Sequence, residues 1–191
     1  MRWWSDEQVQ ILCESVACVD AGIEAIFPQE IEGEIVMQIR RFQNEDAQAV
    51  SALIAKTLRT SNIKDYSVEK IEEDVRALTP EYLIAQAENR HSYTVIEDDT
   101  IVGCGTIGSY WGIEGESSLF CIFVLPEYQG RGIGRKIIET LEQDEYFLNA
   151  RRIEIPASIT GTPFYRKMGY DYKNGVDTPD EEQLIRLEKF R

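Results

Sequence analysis

The apolar positions change period several times along the chain, and each change marks an element. Val9, Leu12, Val16, Val19, Ile23 and Ile26 recur at spacings of 3, 4, 3, 4 and 3, which predicts an amphipathic helix over residues 5–27. Ser5 and Gln8 form a capping box, and Pro28 stops the helix. This seam suits packing on the main domain or pairing with a second subunit, so a homodimer is one expectation. Residues 28–36 read as a linker with Pro28, Gly33 and scattered acids. The expected division is therefore 1–34, helix and linker, and 35–191, the main domain.

The main domain opens with a short strand over 35–41. Asn44 is placed to cap a helix whose apolar face carries Val50, Leu53, Ile54 and Leu58. A turn-rich stretch, 60–66, leads to a second helix capped by Ser67, with Val68, Ile71, Val75 and Leu78 on one face. Thr79-Pro80 starts a short third piece, with proline at the first helical position. After His91 the period falls from 3.6 to 2. Strands over 93–97 and 101–109 flank an Asp98-Asp99 turn. The run 117–125 (SSLFCIFVL) is nearly all apolar, the pattern of a strand covered on both faces. Ile133, Ile137, Ile138 and Leu141 predict one helix over 132–147. A strand at 152–155, a helix at 160–168 and strands at 169–172 and 183–190 complete the chain. The order β-α-α-β-β-β-α-β-α-β-β predicts an α+β fold with a central mixed sheet flanked by helices.

Composition narrows the partners. A chain of 191 residues suits one domain with an appendage. Its net charge of −14 repels phosphate backbones, which counts against nucleic acid. The same charge favours cationic small molecules or basic peptides, and it also serves solubility alone. Cys13, Cys18, Cys104 and Cys121 form no CxxC pair and His91 is the only histidine, so a zinc site is unsupported. Cys104 and Cys121 fall in apolar runs and read as buried thiols. No secretory signal and no run near the roughly 20 apolar residues of a spanning helix occur, so a cytoplasmic, membrane-free protein with reduced thiols is expected.

One string carries chemistry: Val124-Leu-Pro-Glu-Tyr-Gln129-Gly130-Arg131-Gly132-Ile133-Gly134-Arg135. A buried strand enters a loop and then at once a helix. A helix start leaves backbone N–H groups unpaired and carries the positive end of the dipole. Three glycines let a large anion approach the main chain, and Arg131 and Arg135 add positive charge. The string is not a P-loop, because no Gly-Lys-Ser/Thr follows. It is not the dinucleotide fingerprint either, since its spacing is G-x-G-x-G. A glycine-rich turn that merely connects strand to helix is the plain alternative.

Gln129-x-x-Gly132-x-Gly134 resembles the Q/R-x-x-G-x-G/A signature of the GNAT superfamily of N-acetyltransferases. Downstream, Ile155-Pro-Ala-Ser-Ile-Thr-Gly-Thr-Pro-Phe-Tyr165-Arg-Lys-Met-Gly169-Tyr170 resembles that family's second motif, and Met37-Gln-Ile-Arg-Arg its opening strand. The resemblance spans roughly residues 35–190. It implies the acyl-CoA N-acyltransferase fold, with a mixed, mostly antiparallel sheet. It also implies acetyl-CoA as co-substrate, with Ile122, Phe123 and Val124 bonding the pantetheine arm in a gap beside their strand. The pyrophosphate would lie on the main chain from Gly130 to Arg135, with Gln129 in the same motif, and the Val124 amide would face the thioester oxygen. Tyr165 matches the tyrosine beside the CoA sulfur, where a phenol of pKa about 10 stays protonated. The resemblance also implies a cofactor contact just before the helix of Tyr165, at Ser158 or, in its place, Ile159 or Thr160.

An ammonium of pKa about 10.4 must lose a proton before it attacks. Residues 117–125 hold no acid for this. Glu154 sits where some relatives carry a catalytic glutamate; a solvent-facing acid at a strand edge, or a water chain to bulk, are the alternatives. Acceptor contacts are expected from 60–66, with Asp65 and Tyr66, and from an aromatic wall of Tyr110 and Trp111. His91 is expected to be structural or solvated. The expected activity is acetylation of a primary amine on a small molecule or peptide. A non-catalytic acyl-CoA sensor and a protein-interaction domain are the competing readings.

Overall fold

The computed structural model describes residues 37–191 apart from Trp111. The expected N-terminal helix, the linker, Cys13, Cys18 and Trp111 lie outside the described residues. Within them, Met37–Arg41 (β1), His91–Glu97 (β2), Thr100–Ser109 (β3), Glu116–Val124 (β4), Arg152–Ala157 (β5), Asp171–Tyr172 (β6) and Ile185–Phe190 (β7) form one sheet. The helices are Ala47–Thr60 (α1), Val68–Ala77 (α2), Pro80–Ala87 (α3), Ile133–Leu141 (α4), Glu145–Asn149 (α5) and Thr162–Lys167 (α6). Strand order is β1-β2-β3-β4-β5-β7-β6. Every neighbouring pair is antiparallel except β4 with β5, which is the mixed, mostly antiparallel sheet expected.

Local sequence sets most boundaries. Ser67 accepts the Lys70 amide and Thr79 the Tyr82 amide, so both expected caps form. Asp98 and Asp99 hold φ of 46° and 59°, the left-handed pair a two-residue hairpin needs to match strand twist. Asn44 is not the cap. It opens a short 3-10 turn, and Asp46 instead accepts the Gln43 amide at 2.8 Å while pairing with Arg40 at 2.6 Å.

The single helix expected over 132–147 is two helices. Asp144 starts the second by accepting the Tyr146 amide at 2.9 Å. Its other oxygen lies 2.7 Å from both the Tyr93 hydroxyl and His91 Nδ1. A tertiary anchor on β2 thus breaks the helix between α4 and α5, which an apolar stripe cannot reveal. His91 is structural here, with Glu145 at 3.4 Å from its other nitrogen.

Alternation along β3 separates the two faces of the sheet. Cys104 and Thr106 turn toward Val50, Ile54 and Leu83 of α1 and α3. Gly103 and Gly105 turn toward α4, where a Cβ on Gly105 would stand 2.4 Å from Ile137 Cγ2. Only glycine permits that approach of helix to sheet. Val95, Val102, Ile107, Leu119, Ile137 and Leu141 are almost fully buried between these layers. At about 1.5–3 kcal/mol for each large aliphatic side chain, such burial dominates the stabilisation. No helix among the described residues is long and apolar enough to cross a membrane. No group of three His, Cys, Asp or Glu side chains among them is placed to hold a metal ion.

Candidate functional site

The site originates in one irregularity of β4. Opposite β3 the register slips between the Thr106–Phe120 and Cys104–Phe123 pairs, which places one extra residue in β4. Cys121 carries the distortion with φ of 49°, so this is a bulge that bends the strand. On its other side β4 pairs with β5 only through Glu116, Ser117 and Ser118. Beyond Ser118 the two strands separate, and β5 continues along β7 instead. The gap opens into a cavity of about 460 Å³.

Val124 exposes its main chain to this gap. Leu125 N donates to Val102 O at 2.9 Å. In an antiparallel ladder the neighbouring residue's amide and carbonyl then point away from β3. The Val124 carbonyl accepts Gln129 Nε2 at 3.0 Å and Thr57 Oγ1 at 3.4 Å. Ile122, Phe123 and Val124 all line the cavity.

At the other end of the cavity, Gly130 and Gly132 hold φ of 77° and 85°, a conformation that L side chains adopt at a cost of about 1–2 kcal/mol. These turns bring the chain into α4. Among the described residues, the amides of Gly130 through Arg135 have no hydrogen-bond acceptor. Gly130, Gly132, Gly134 and Arg135 line the cavity, and Arg135 is the only charged side chain among the described lining residues. The side chain of Ile133 is buried in the core, leaving its amide for the loop. Such a helix start is an anion-binding surface.

Arg131 departs from expectation. Its guanidinium is not in the cavity but donates to Glu97 Oε1 at 2.6 Å, with its carbon 5.1 Å from the Tyr128 ring centre. Gln129 lines the cavity but spends its amide on Val124 and on Ser61 Oγ at 3.2 Å. Ser158 also lines it, with its hydroxyl accepting the Gly161 amide at 3.1 Å.

Tyr165 reaches the cavity from α6 and is 9% exposed. Its hydroxyl has no hydrogen-bond partner among the described residues, while Phe164 and Tyr170 pack edge-on against its ring. Burial, with the Cys121 thiol adding to it, pushes this phenol well above its ordinary range. Tyr165 is therefore protonated at any ordinary pH.

Glu154 is neither solvent-facing nor among the lining residues. It is 1% exposed and accepts from Tyr110 at 3.0 Å, Arg152 at 2.9 Å and Lys173 at 2.7 Å. Tyr110 is thereby tied to the Glu154 cluster, and Arg152 and Lys173 lie over its ring. Asp65 accepts the Thr160 amide at 3.0 Å, and Thr160 lines the cavity. Burial, then Asp65, Asp74 and Asp180, raise the neighbouring Tyr66 to about 12. Thr57, Ser61, Asn62, Tyr128, Gly161 and Phe164 also line the cavity. Ser61 and Asn62 belong to the 60–66 stretch expected to meet the acceptor, and Tyr128, Gly161 and Phe164 to the two motifs, so Thr57 alone lies outside the stretches that the sequence picks out. Thr57 carried a signal: it follows Leu53 by one turn on the apolar face of α1, and its hydroxyl bonds back to Leu53 O at 2.9 Å.

Residues 88–172 match the family model described as the acetyltransferase (GNAT) domain. Over that segment the chain is similar to a GNAT acetyltransferase domain. That segment contains β2 to β6, hence the bulge, the phosphate-sized loop and Tyr165 of the domain. The fold is shared with the PaiA N-acetyltransferase of Thermoplasma acidophilum, solved in complex with coenzyme A. The two are 20% identical over 82% of this chain and 100% of that one, with a TM-score of 0.71. A GNAT family acetyltransferase of Brucella melitensis, solved with acetyl-CoA, is 24% identical over 81% of this chain and 88% of its own, with a TM-score of 0.55. No curated protein matches the sequence significantly.

Proposed function

We propose that this protein is an N-acetyltransferase that moves an acetyl group from acetyl-CoA directly to a primary amine of a small molecule or peptide. The observation that carries this reading is the Tyr165 hydroxyl, borne on a largely buried side chain and without a hydrogen-bond partner among the described residues, at a cavity that the loop with the unpaired amides of Gly130 to Arg135 also lines. The pyrophosphate of the co-substrate suits those amides and Arg135. Its pantetheine arm suits the gap beside Ile122, Phe123 and Val124. The Val124 N–H, directed away from β3, is the donor for the charge that develops on the thioester oxygen.

The amine nitrogen forms a bond to the thioester carbon as the carbon–sulfur bond breaks with its electron pair on sulfur. Tyr165 gives its proton to the departing sulfur. The nitrogen releases one proton to crevice water, and water returns one to Tyr165, so charge and atoms balance. Glu154 lacks access to this path because Tyr110, Arg152 and Lys173 occupy its oxygens. In the proposal, the domain over residues 35–191 supplies this whole apparatus.

The absence of any carboxylate among the described lining residues favours one competing reading, an acyl-CoA-binding module without turnover. Incubation with acetyl-CoA and a panel of amines, read by release of free thiol, separates the two. Thiol release that depends on an amine supports the transferase. Tight acetyl-CoA binding with no thiol from any amine would support the binding module.

A further inference from the structure

Glu97 ends β2 with a carboxylate that is almost wholly withdrawn from water; the residue is 3% exposed. Oε1 is held by Arg131 at 2.6 Å. Oε2 is buried without any hydrogen-bond partner, the only such side-chain oxygen or nitrogen among the described residues. A buried carboxylate left without its cation is strongly unfavourable, so the pairing with Arg131 is compulsory rather than incidental. Arg131 lies between the two left-handed glycines, Gly130 and Gly132, and its guanidinium also covers Tyr128 on the cavity wall. Glycines confer freedom on a loop at an entropic cost when it must hold one shape. One side chain thus fastens this glycine-flanked stretch to the end of β2.

We propose that Glu97 is a positioning residue for the co-substrate: through Arg131 it sets the loop so that the amides of Gly130 to Arg135 converge on one anion. This rests on the acetyl-CoA reading above. Arg131 then contributes to binding by where it holds the loop and not by its charge on the phosphates. The two roles predict opposite outcomes for Glu97. Freeing a cation that acted directly on a diphosphate would tighten binding, whereas releasing a loop clamp weakens it.

The test is a cycle of Glu97→Gln, Arg131→Met and the double variant in the full chain. CoA affinity is measured by calorimetry, and kcat/KM is measured for acetyl-CoA and for S-acetylpantetheine, which lacks the diphosphate. Each single variant is expected to weaken CoA about tenfold, and the double variant no more than either, as for residues acting as a unit. The loss should fall on acetyl-CoA and leave S-acetylpantetheine far less affected, which a general loss of fold would not do. Amide hydrogen exchange of ligand-free Glu97→Gln should quicken at the hydrogen-bonded amides that frame the loop, those of Tyr128, Gln129 and Lys136. If Glu97→Gln does not fold, Arg131→Met and Arg131→Lys carry the same exchange test, with lysine restoring protection. Unchanged exchange at these framing amides, tighter CoA binding by Glu97→Gln, or equal losses on both thioesters would each overturn the inference. A wild-type chain that binds no CoA would instead overturn the functional reading, and the ligand-free exchange experiment tells the two failures apart.

Discussion

Thr160 donates both its amide, at 3.0 Å, and its hydroxyl to the carboxylate of Asp65. The loop after α1 is thereby tied to the loop before α6 at the edge of the cavity, 95 residues apart in sequence. Thr160 itself lines the cavity, and the Asp65 amide donates to the carbonyl of Asn62, another lining residue, at 2.9 Å. The pair is partly exposed, so its contribution to global stability is small. Its effect should fall on the acceptor. Asp65→Ala is expected to raise the KM for an amine about five- to tenfold, the equivalent of about 1 kcal/mol, the net contribution of a typical hydrogen bond. The KM for acetyl-CoA and the melting temperature should change little. Steady-state kinetics with each substrate varied in turn checks this, and a change confined to acetyl-CoA would contradict it.

Tyr165 gives the second prediction. Tyr165→Phe removes the hydroxyl and keeps the ring between Phe164 and Tyr170. If the phenol protonates the leaving sulfur, kcat falls at least about tenfold and up to a thousandfold or more. Binding of CoA should stay within a few-fold. Single-turnover rates measured beside calorimetric affinity separate the two effects, and an undiminished rate would remove the proposed role.

Glu154 was a candidate base in the sequence and is an ion-pair centre in the structure. Glu154→Ala leaves Arg152 and Lys173 facing each other without their shared carboxylate. Arg152 keeps Glu116 and Glu188 and Lys173 is partly exposed, so the loss in urea denaturation should be clear but below the about 3–5 kcal/mol of a stranded buried charge. Activity per folded molecule should survive in conditions where the variant remains folded. A stable variant with abolished turnover would restore Glu154 to the mechanism.

Stability should also fall on the alkaline side. Burial carries Cys121 from about 9 to about 11. Burial, followed by the nearby aspartates, carries Tyr66 from 10 to about 12. Both values are higher folded than unfolded, so the unfolded chain releases its protons first as pH rises. The stabilisation is complete below pH 9 and is lost progressively as pH climbs through 11 and 12. Thermal melts across this range should decline from pH 9 upward, and replacing Cys104 and Cys121 by serine should move the onset toward pH 10, where tyrosine ordinarily titrates. A flat profile to pH 11 would contradict this account.

Much of the molecule is legible in the chain because it is local. Caps at Ser67 and Thr79, the hairpin at Asp98-Asp99, and the apolar stripe of α4 each depend on residues within a few positions of one another. The loop from Val124 to Arg135 is legible for the same reason: a strand, a turn rich in glycine and a helix start together make an anion cradle whatever surrounds them. Its pairing with Phe164-Tyr165 and the resemblance of both to one family imply the fold that the sheet then shows.

What the sequence left open depends on partners distant along the chain. Arg131 reads as a phosphate ligand until β2 delivers a buried carboxylate to it from Glu97, 34 residues earlier. Asp144 reads as one more polar position on a long helix until Tyr93 and His91 claim its oxygen. Glu154 reads as an edge acid until Arg152, Tyr110 and Lys173 enclose it. Even the cavity is absent from any single segment, because it is the space left when β5 follows β7 and abandons β4. Local propensity determined the pieces and the chemistry they carry. Tertiary packing decided which charges reach the cavity, because a buried charge must take the nearest opposite charge or hydrogen-bond donor that the fold supplies.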